Sequence, residues 1–144
     1  MTALRQIPDA RGAVLHMLRS DAPDFVQFGE CYFSEVLPGA IKAWKRHRVQ
    51  TQTLAVPVGR IRMVIYDDRA ESLTHKALLT IELGRPDAYV RLRIPPGVWY
   101  GFACVSELPA LLVNCADLPH DPGESDTLAL DTQEIPYSWT TQLS

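Results

Sequence analysis

The chain has 144 residues, 47% of them hydrophobic and 22% charged, with a formal net charge of −3. That is the length of one domain able to bury about two thirds of its unfolded surface, and with no basic tract to follow a phosphate backbone, nucleic acid is excluded as the expected partner. No apolar run reaches the roughly 18 residues of a membrane helix, and MTALRQIPDARG at the start lacks a signal peptide's apolar core, so no membrane contact and a cytoplasmic location are expected.

The predicted elements are short β-type runs separated by Pro, Gly and Asp. In chain order they are AVLHMLR (13–19), ECYFSEV (30–36), AIKAWKRH (40–47), QTLAVPVG (52–59), RIRMVIYDD (60–68), HKALLTIEL (75–83), AYVRLRIP (88–95), YGFACVS (100–106) and ALLVNCAD (110–117). Their spacing is that of a sandwich or barrel. In the fifth run Ile61, Met63 and Ile65 alternate with Arg60, Arg62 and Val64, which predicts one face on a core. The one helical candidate is a short turn near Pro23-Asp24-Phe25-Val26, and from about Leu118 the chain reads as an irregular tail packed by Ile135, Tyr137 and Trp139. Cys31, Cys104 and Cys115 are odd in number and lack CxxC spacing, so they are expected to be reduced, small apolar fillers.

A metal-binding cupin hairpin reads Gly, five residues, His, one residue, His, three or four residues, Glu, six residues, Gly. Counting from Gly39 puts Lys45 at the first histidine, His47 at the second, Gln52 at the glutamate and Gly59 at the closing glycine. In the second hairpin, Pro95-Pro96-Gly97-Val98-Trp99-Tyr100 places Tyr100 at the third histidine. The frame is kept while only His47 of the four ligands survives, and a lysine ammonium cannot ligate a transition metal, so no metal and no cofactor are expected.

In these motifs and their order the chain resembles the dTDP-4-dehydrorhamnose 3,5-epimerases, metal-free cupins acting on a nucleotide-linked 4-keto-6-deoxy sugar. DARG (9–12) is similar to the family's D-x-R-G, GAIKAWK (39–45) to G-V-L-R-G-L-H, and VQTQTL (49–54) to A-Q-G-K-L-V. GRIRMVIYDDRAESLT (59–74), RIPPGVWYGFACVSE (93–107) and DPGES (121–125) follow in the family's order. The resemblance implies a mainly β, single-domain cupin of double-stranded β-helix or jelly-roll type over residues 1–144, and a homodimer binding a small nucleotide sugar. It also implies that the family's base falls at Lys45, its acid tyrosine near Asn114, a further histidine at Tyr100 and a lysine at Gln52. Arg11 and Lys42 remain for the diphosphate, while Glu124 stands in a loop that can wall the pocket, with His120 nearby. The resemblance sets Asp131 against the family's carboxylate that orients the base.

Epimerisation beside a ketone needs a base to draw off the α-proton and an acid to return one to the other face. Lys45 and His47 are two apart, so on a strand they share a face, which the resemblance turns into the barrel. An imidazole with an ordinary titration range suits proton abstraction at neutral pH. The expected assignment is His47 as displaced base, Tyr100 as acid from the opposite wall, and Lys45 as enolate stabiliser. The rival reading of the same residues, flanked by Arg46 and Arg48, is a solvated basic strand end. Trp44 and Trp99 are expected in the core or at the rim, His16 and His75 on neighbouring strands or in solvent, and Asp67, Asp68 and Arg69 in hairpin chemistry. Three functions stay open: a sugar-nucleotide epimerase or isomerase, an inactive cupin that binds a sugar nucleotide or a protein partner without turnover, and a different small-molecule reaction in the same barrel.

Overall fold

The computed structural model describes residues 1–140. Twelve strands occur among them: β1 (Thr2–Ala3), β2 (Gln6–Asp9), β3 (Gly12–Leu15), β4 (Glu30–Val36), β5 (Ile41–His47), β6 (Gln52–Val58), β7 (Arg60–Tyr66), β8 (Leu78–Gly84), β9 (Val90–Ile94), β10 (Trp99–Cys104), β11 (Ala110–Ala116) and β12 (Ser125–Thr127). A single 3₁₀ turn, Pro122–Glu124, leads into β12. One sheet runs β1-β9-β6-β11-β4, a second runs β12-β5-β10-β7-β8, every pairing is antiparallel, and β2 with β3 forms a separate hairpin.

Side-chain alternation gives the two large sheets a shared interior. Leu54 and Val56 of β6, Ile61 and Met63 of β7, Leu92 and Ile94 of β9, Tyr100, Phe102 and Cys104 of β10, and Ala110 and Leu112 of β11 form one buried cluster. The predicted alternation in β7 is therefore seen, with Ile65 packed against the same cluster. The opposite face of the second sheet is covered too. Trp44, Val64, Tyr66, Trp99 and Ala103 are sealed by Ile135 and Trp139 from the C-terminal segment, with Tyr137 and Leu128 packed against them. Each large apolar side chain so covered contributes on the order of 1.5–3 kcal/mol. Segments near the N-terminus do the same for the first sheet, where Leu4, Leu15 and Met17 lie on Ala55, Tyr89 and Val113.

Three predicted elements differ from the structure for identifiable reasons. The strand expected over 13–19 stops at Leu15 because side chains take the next carbonyls: Tyr89 Oη donates to His16 O at 2.8 Å and Arg91 Nη1 to Met17 O at 2.8 Å. The helical candidate at Pro23–Val26 is only a turn, closed by Phe25 N to Ala22 O at 3.0 Å. The strand expected from His75 begins at Leu78, because Lys76 N donates to Asp67 O at 2.7 Å within a turn. The cysteines are all free thiols, with Cys104 buried as expected, whereas Cys31 is exposed and its Sγ lies 3.3 Å from that of Cys115.

Candidate active site

Between the two sheets lies a cavity of about 360 Å³, walled by Tyr32 and Ser34 of β4, Lys42 to Lys45 of β5, Tyr100 and Phe102 of β10, Leu112 and Asn114 of β11, with Leu54 and Thr127. One irregularity in the pairing of β5 with β10 shapes it. Tyr100 pairs with Lys45 but Phe102 pairs with Lys42, so Ala43 and Trp44 together oppose Gly101 in a bulge. The extra residue puts Lys42 and Lys45 on one face despite their odd spacing, and both ammonium side chains reach the cavity wall. Gly101 is required there, since a Cβ would stand 2.5 Å from Ala43 Cβ and about 3 Å from both indoles: Trp139 Cζ2 at 3.0 Å and Trp44 Cε3 at 3.1 Å.

His47 ends β5 and points inward, 7% exposed. The Pro95-Pro96-Gly97 turn fixes its backbone: Gly97, at φ 82°, donates its N–H to His47 O at 2.7 Å. Glu124 is brought up by the 3₁₀ turn and β12, which pairs Ser125 with His47 and Thr127 with Lys45. That short strand is stapled from outside. Arg46 donates to Asp126 at 3.0 Å, Arg48 pairs with Asp126 and donates to Gly123 O at 3.0 Å, and the Arg46 guanidinium lies 4.4 Å above the Trp99 ring. Arg46 and Arg48 thus occupy the outer face while His47 is buried, which decides against a solvated strand end.

The three buried polar groups form a line. Glu124 Oε1 is hydrogen-bonded to His47 Nδ1, and His47 Nε2 lies 3.0 Å from Tyr100 Oη. Glu124 Oε2 accepts from the backbone N–H of Val49 and of Gln50, both at 3.3 Å. Burial pushes this carboxyl up, but the His47 hydrogen bond, the Val49 amide, the His47 charge and the Gln50 amide outweigh it and hold it below its ordinary value. An ionised carboxylate can only accept, so Nδ1 carries a proton, and in the tautomer that leaves Nε2 bare this nitrogen accepts from the Tyr100 hydroxyl. Tyr100 itself is pushed well above the ordinary phenol range, first by burial and then by the nearby Tyr32 and Glu124 charges.

The sequence candidates therefore separate by place. His47, Tyr100 and Glu124 meet in one line, Lys42, Lys45 and Asn114 lie on the cavity wall, and Gln52 stands behind Asn114, accepting from its Nδ2. Tyr100 does not face His47 from the opposite wall as expected, because β10 is the strand next to β5 and the two side chains are hydrogen-bonded neighbours. Glu124 backs His47 rather than walling the cavity. Arg11 sits apart, at an exposed hairpin where it pairs with Asp9 at 2.7 Å, and Asp131 is on the exposed loop before Ile135. Lys42 Nζ is tethered across the sheets to Ser34 Oγ and Glu35 O, both at 2.8 Å. Sequence reasoning missed Tyr32 and Ser34. Their alternation with Val36 was visible, but the register that sets Tyr32 opposite Asn114 was not.

The family model for dTDP-4-dehydrorhamnose 3,5-epimerase matches residues 2–144. The chain belongs to this family. Among solved structures of similar proteins, a dTDP sugar isomerase from Desulfovibrio desulfuricans is 57% identical with a TM-score of 0.94, covering 96% of this chain and 88% of that one. The probable low-salt glycan biosynthesis epimerase Agl13 of Haloferax volcanii is 35% identical over 131 residues, 90% of this chain and 80% of that protein. A Bacillus anthracis dTDP-4-dehydrorhamnose 3,5-epimerase, solved with TDP and pyrophosphate bound, shares the fold at TM-score 0.83 and 21% identity, covering 95% of this chain and 82% of that one. The fold of this dTDP-4-dehydrorhamnose 3,5-epimerase family member is thus the cupin jelly roll that the paired glycines and Pro-x-Gly turn predicted. Among the described residues no cluster of three or more His, Cys, Asp or Glu is arranged to hold a metal ion, and no helix is long and apolar enough to cross a membrane.

Proposed function

We propose that the protein epimerises a nucleotide-linked 4-keto-6-deoxy sugar for polysaccharide biosynthesis, abstracting the proton beside the ketone through Tyr100 and His47. The observation that carries this reading is the continuous Glu124–His47–Tyr100 line ending on a cavity flanked by two lysines. As the C–H bond breaks, its proton passes to Tyr100 Oη while the Tyr100 proton passes to His47 Nε2; the electron pair left on carbon delocalises onto the ketone oxygen. The raised Tyr100 value makes a free tyrosinate costly, so coupling the two transfers avoids it. Glu124 stabilises the imidazolium that results, and Lys45 neutralises the enolate oxygen. Lys42, with its Ser34 tether, supplies positive charge for the diphosphate; Arg11, outside this cavity, is not needed for that role within one chain. The inactive binding cupin is disfavoured because a binding site alone has no use for a carboxylate-oriented imidazole aimed at a buried phenol.

The same proposal includes a nucleotide sugar as ligand, a cytoplasmic location, and a homodimer. The largely exposed β2–β3 hairpin, with Ile7 and Val14 in solvent, supports the dimer by offering apolar surface. Light scattering on the eluting protein should give twice the 16.1 kDa chain mass. Activity is tested by incubating the protein in heavy water with dTDP-4-keto-6-deoxyglucose and its UDP and GDP relatives. Deuterium should enter at C3, C5 or both; incorporation no faster than the enzyme-free control with all three substrates would sink the reading.

A further inference from the structure

A second ionisable hydroxyl lines the cavity from the other sheet, and a chain of amides fixes how it points. The chain starts at two groups that can only accept. Gln50 Nε2 donates to the carbonyls of Leu118 at 3.1 Å and Pro119 at 2.8 Å, so the amide orientation of Gln50 is settled and its Oε1 faces Gln52. Gln52 Nε2 donates to that oxygen at 3.1 Å, which turns Gln52 Oε1 toward Asn114. Asn114 Nδ2 then donates both to Gln52 Oε1 and, at 2.8 Å, to Tyr32 Oη, while Asn114 Oδ1 accepts the Thr53 N–H at 3.2 Å. Every donor and acceptor of the Asn114 amide is thereby assigned. The Tyr32 oxygen is an acceptor in this chain, and its own O–H is left to donate elsewhere.

Tyr32 belongs to β4 of the first sheet and Tyr100 to β10 of the second, and both line the same cavity. A ligand held between the sheets has one phenol on each side. The two are provisioned differently. Tyr100 has His47 behind it to take up a proton. Burial raises Tyr32 above the ordinary phenol value as well, but the amide donor behind it works against that rise and stabilises the phenolate left after a proton is given away, and at 41% exposure the residue is open to water that can reprotonate it.

We infer that Tyr32 is the catalytic acid that returns a proton to the face opposite Tyr100, with Asn114, Gln52 and Gln50 as the positioning residues that aim its hydroxyl. The inference rests on the epimerase reading above. In the second half-reaction the Tyr32 O–H bond breaks, its proton forms the new C–H bond, and the enolate electron pair returns to carbon as the ketone re-forms; Tyr32 phenolate then takes a proton from water, and the hydroxide left is neutralised by the proton that the His47 imidazolium releases to solvent.

The test follows two rates on one sample in heavy water with dTDP-4-keto-6-deoxyglucose: deuterium entry beside the ketone, and inversion at the same carbon. Wild type should show both. In Tyr32→Phe, inversion should fall at least about 100-fold, the scale of losing a general acid. Exchange should stay within about tenfold of wild type, because Tyr100 can return a deuteron to the face it stripped. Asn114→Leu should shift the ratio of exchange to inversion in the same direction by a smaller factor. Equal loss of exchange and inversion in Tyr32→Phe would overturn the role of Tyr32, as would inversion at the wild-type rate. A wild-type protein with no exchange would overturn the epimerase reading and this inference with it.

Discussion

Two buried carboxylates, Asp67 and Glu124, are both held below their ordinary values, yet they are built for different work. Asp67 accepts two bonds from the Arg69 guanidinium at 2.8 Å, one from Ser72 Oγ at 2.6 Å and one from Thr74 Oγ1 at 2.6 Å, with the Arg69 N–H at 3.1 Å. Its main partner is a permanent cation, and the group it organises is a hairpin turn. Glu124 instead faces an imidazole whose other nitrogen reaches a phenol on the cavity wall. A carboxylate against a guanidinium locks a backbone; against an imidazole it holds a proton acceptor in one tautomer. The partner, more than the depressed carboxyl, distinguishes structure from chemistry.

The contrast can be broken by substitution. The largest effect should come from His47→Asn, which keeps a donor near Glu124 but removes the Nε2 acceptor; exchange beside the ketone should fall about 10² to 10⁴-fold in the NMR assay. Glu124→Gln should lower exchange by roughly 10- to 100-fold, the scale of removing one charge-assisted hydrogen bond worth about 1.5–3 kcal/mol. Asp67→Asn should do the reverse, costing roughly 1–3 kcal/mol in urea unfolding while leaving exchange per folded molecule unchanged. Gly101→Ala, which forces a methyl against Ala43 and two indoles, should cost a similar 1–3 kcal/mol and also distort the bulge that presents the two lysines.

The smallest effect sharpens the comparison through pH. Both carboxyls have folded values below their unfolded ones, which are about 3.9 for Asp and 4.3 for Glu. As pH falls, the unfolded chain takes up protons first, so the stability each contributes is complete above its unfolded value and is lost as pH drops through the folded one. Asp67 is displaced furthest. Urea midpoints measured between pH 6 and pH 2 should therefore fall with acid in the wild type, with Asp67→Asn flattening that slope more than Glu124→Gln.

Much of the barrel was legible in the sequence because its signals are local. Alternation placed β4 at its observed bounds and β5, β6, β7 and β11 within one or two residues, and the glycine spacings of the cupin frame turned His47 inward. Ile135, Tyr137 and Trp139 read correctly as a packed tail because three large apolar side chains in a Pro-rich stretch need a surface to cover. What sequence could not supply was anything set by register. The β5 bulge breaks the period of two and so brings Lys42 beside Lys45. β12 is three residues of Ser, Asp and Thr, of which only Thr favours a strand, and it forms because Arg46 and Arg48 reach across to Asp126. That pairing is what moves Glu124 from the role of pocket wall to that of partner for His47. Tyr32 was overlooked for the same reason: its meaning comes from Asn114 opposite it and from the amides beyond.

The central claim is that the buried line from Glu124 through His47 to Tyr100 moves a proton and does not merely hold the strands together. The most direct measurement is the rate of deuterium entry beside the ketone in wild type and His47→Asn, with dTDP affinity determined by calorimetry on the same preparations. The account predicts exchange reduced by at least about 100-fold with dTDP affinity within about twofold. Parallel loss of exchange and affinity, or exchange that survives the substitution, would contradict it.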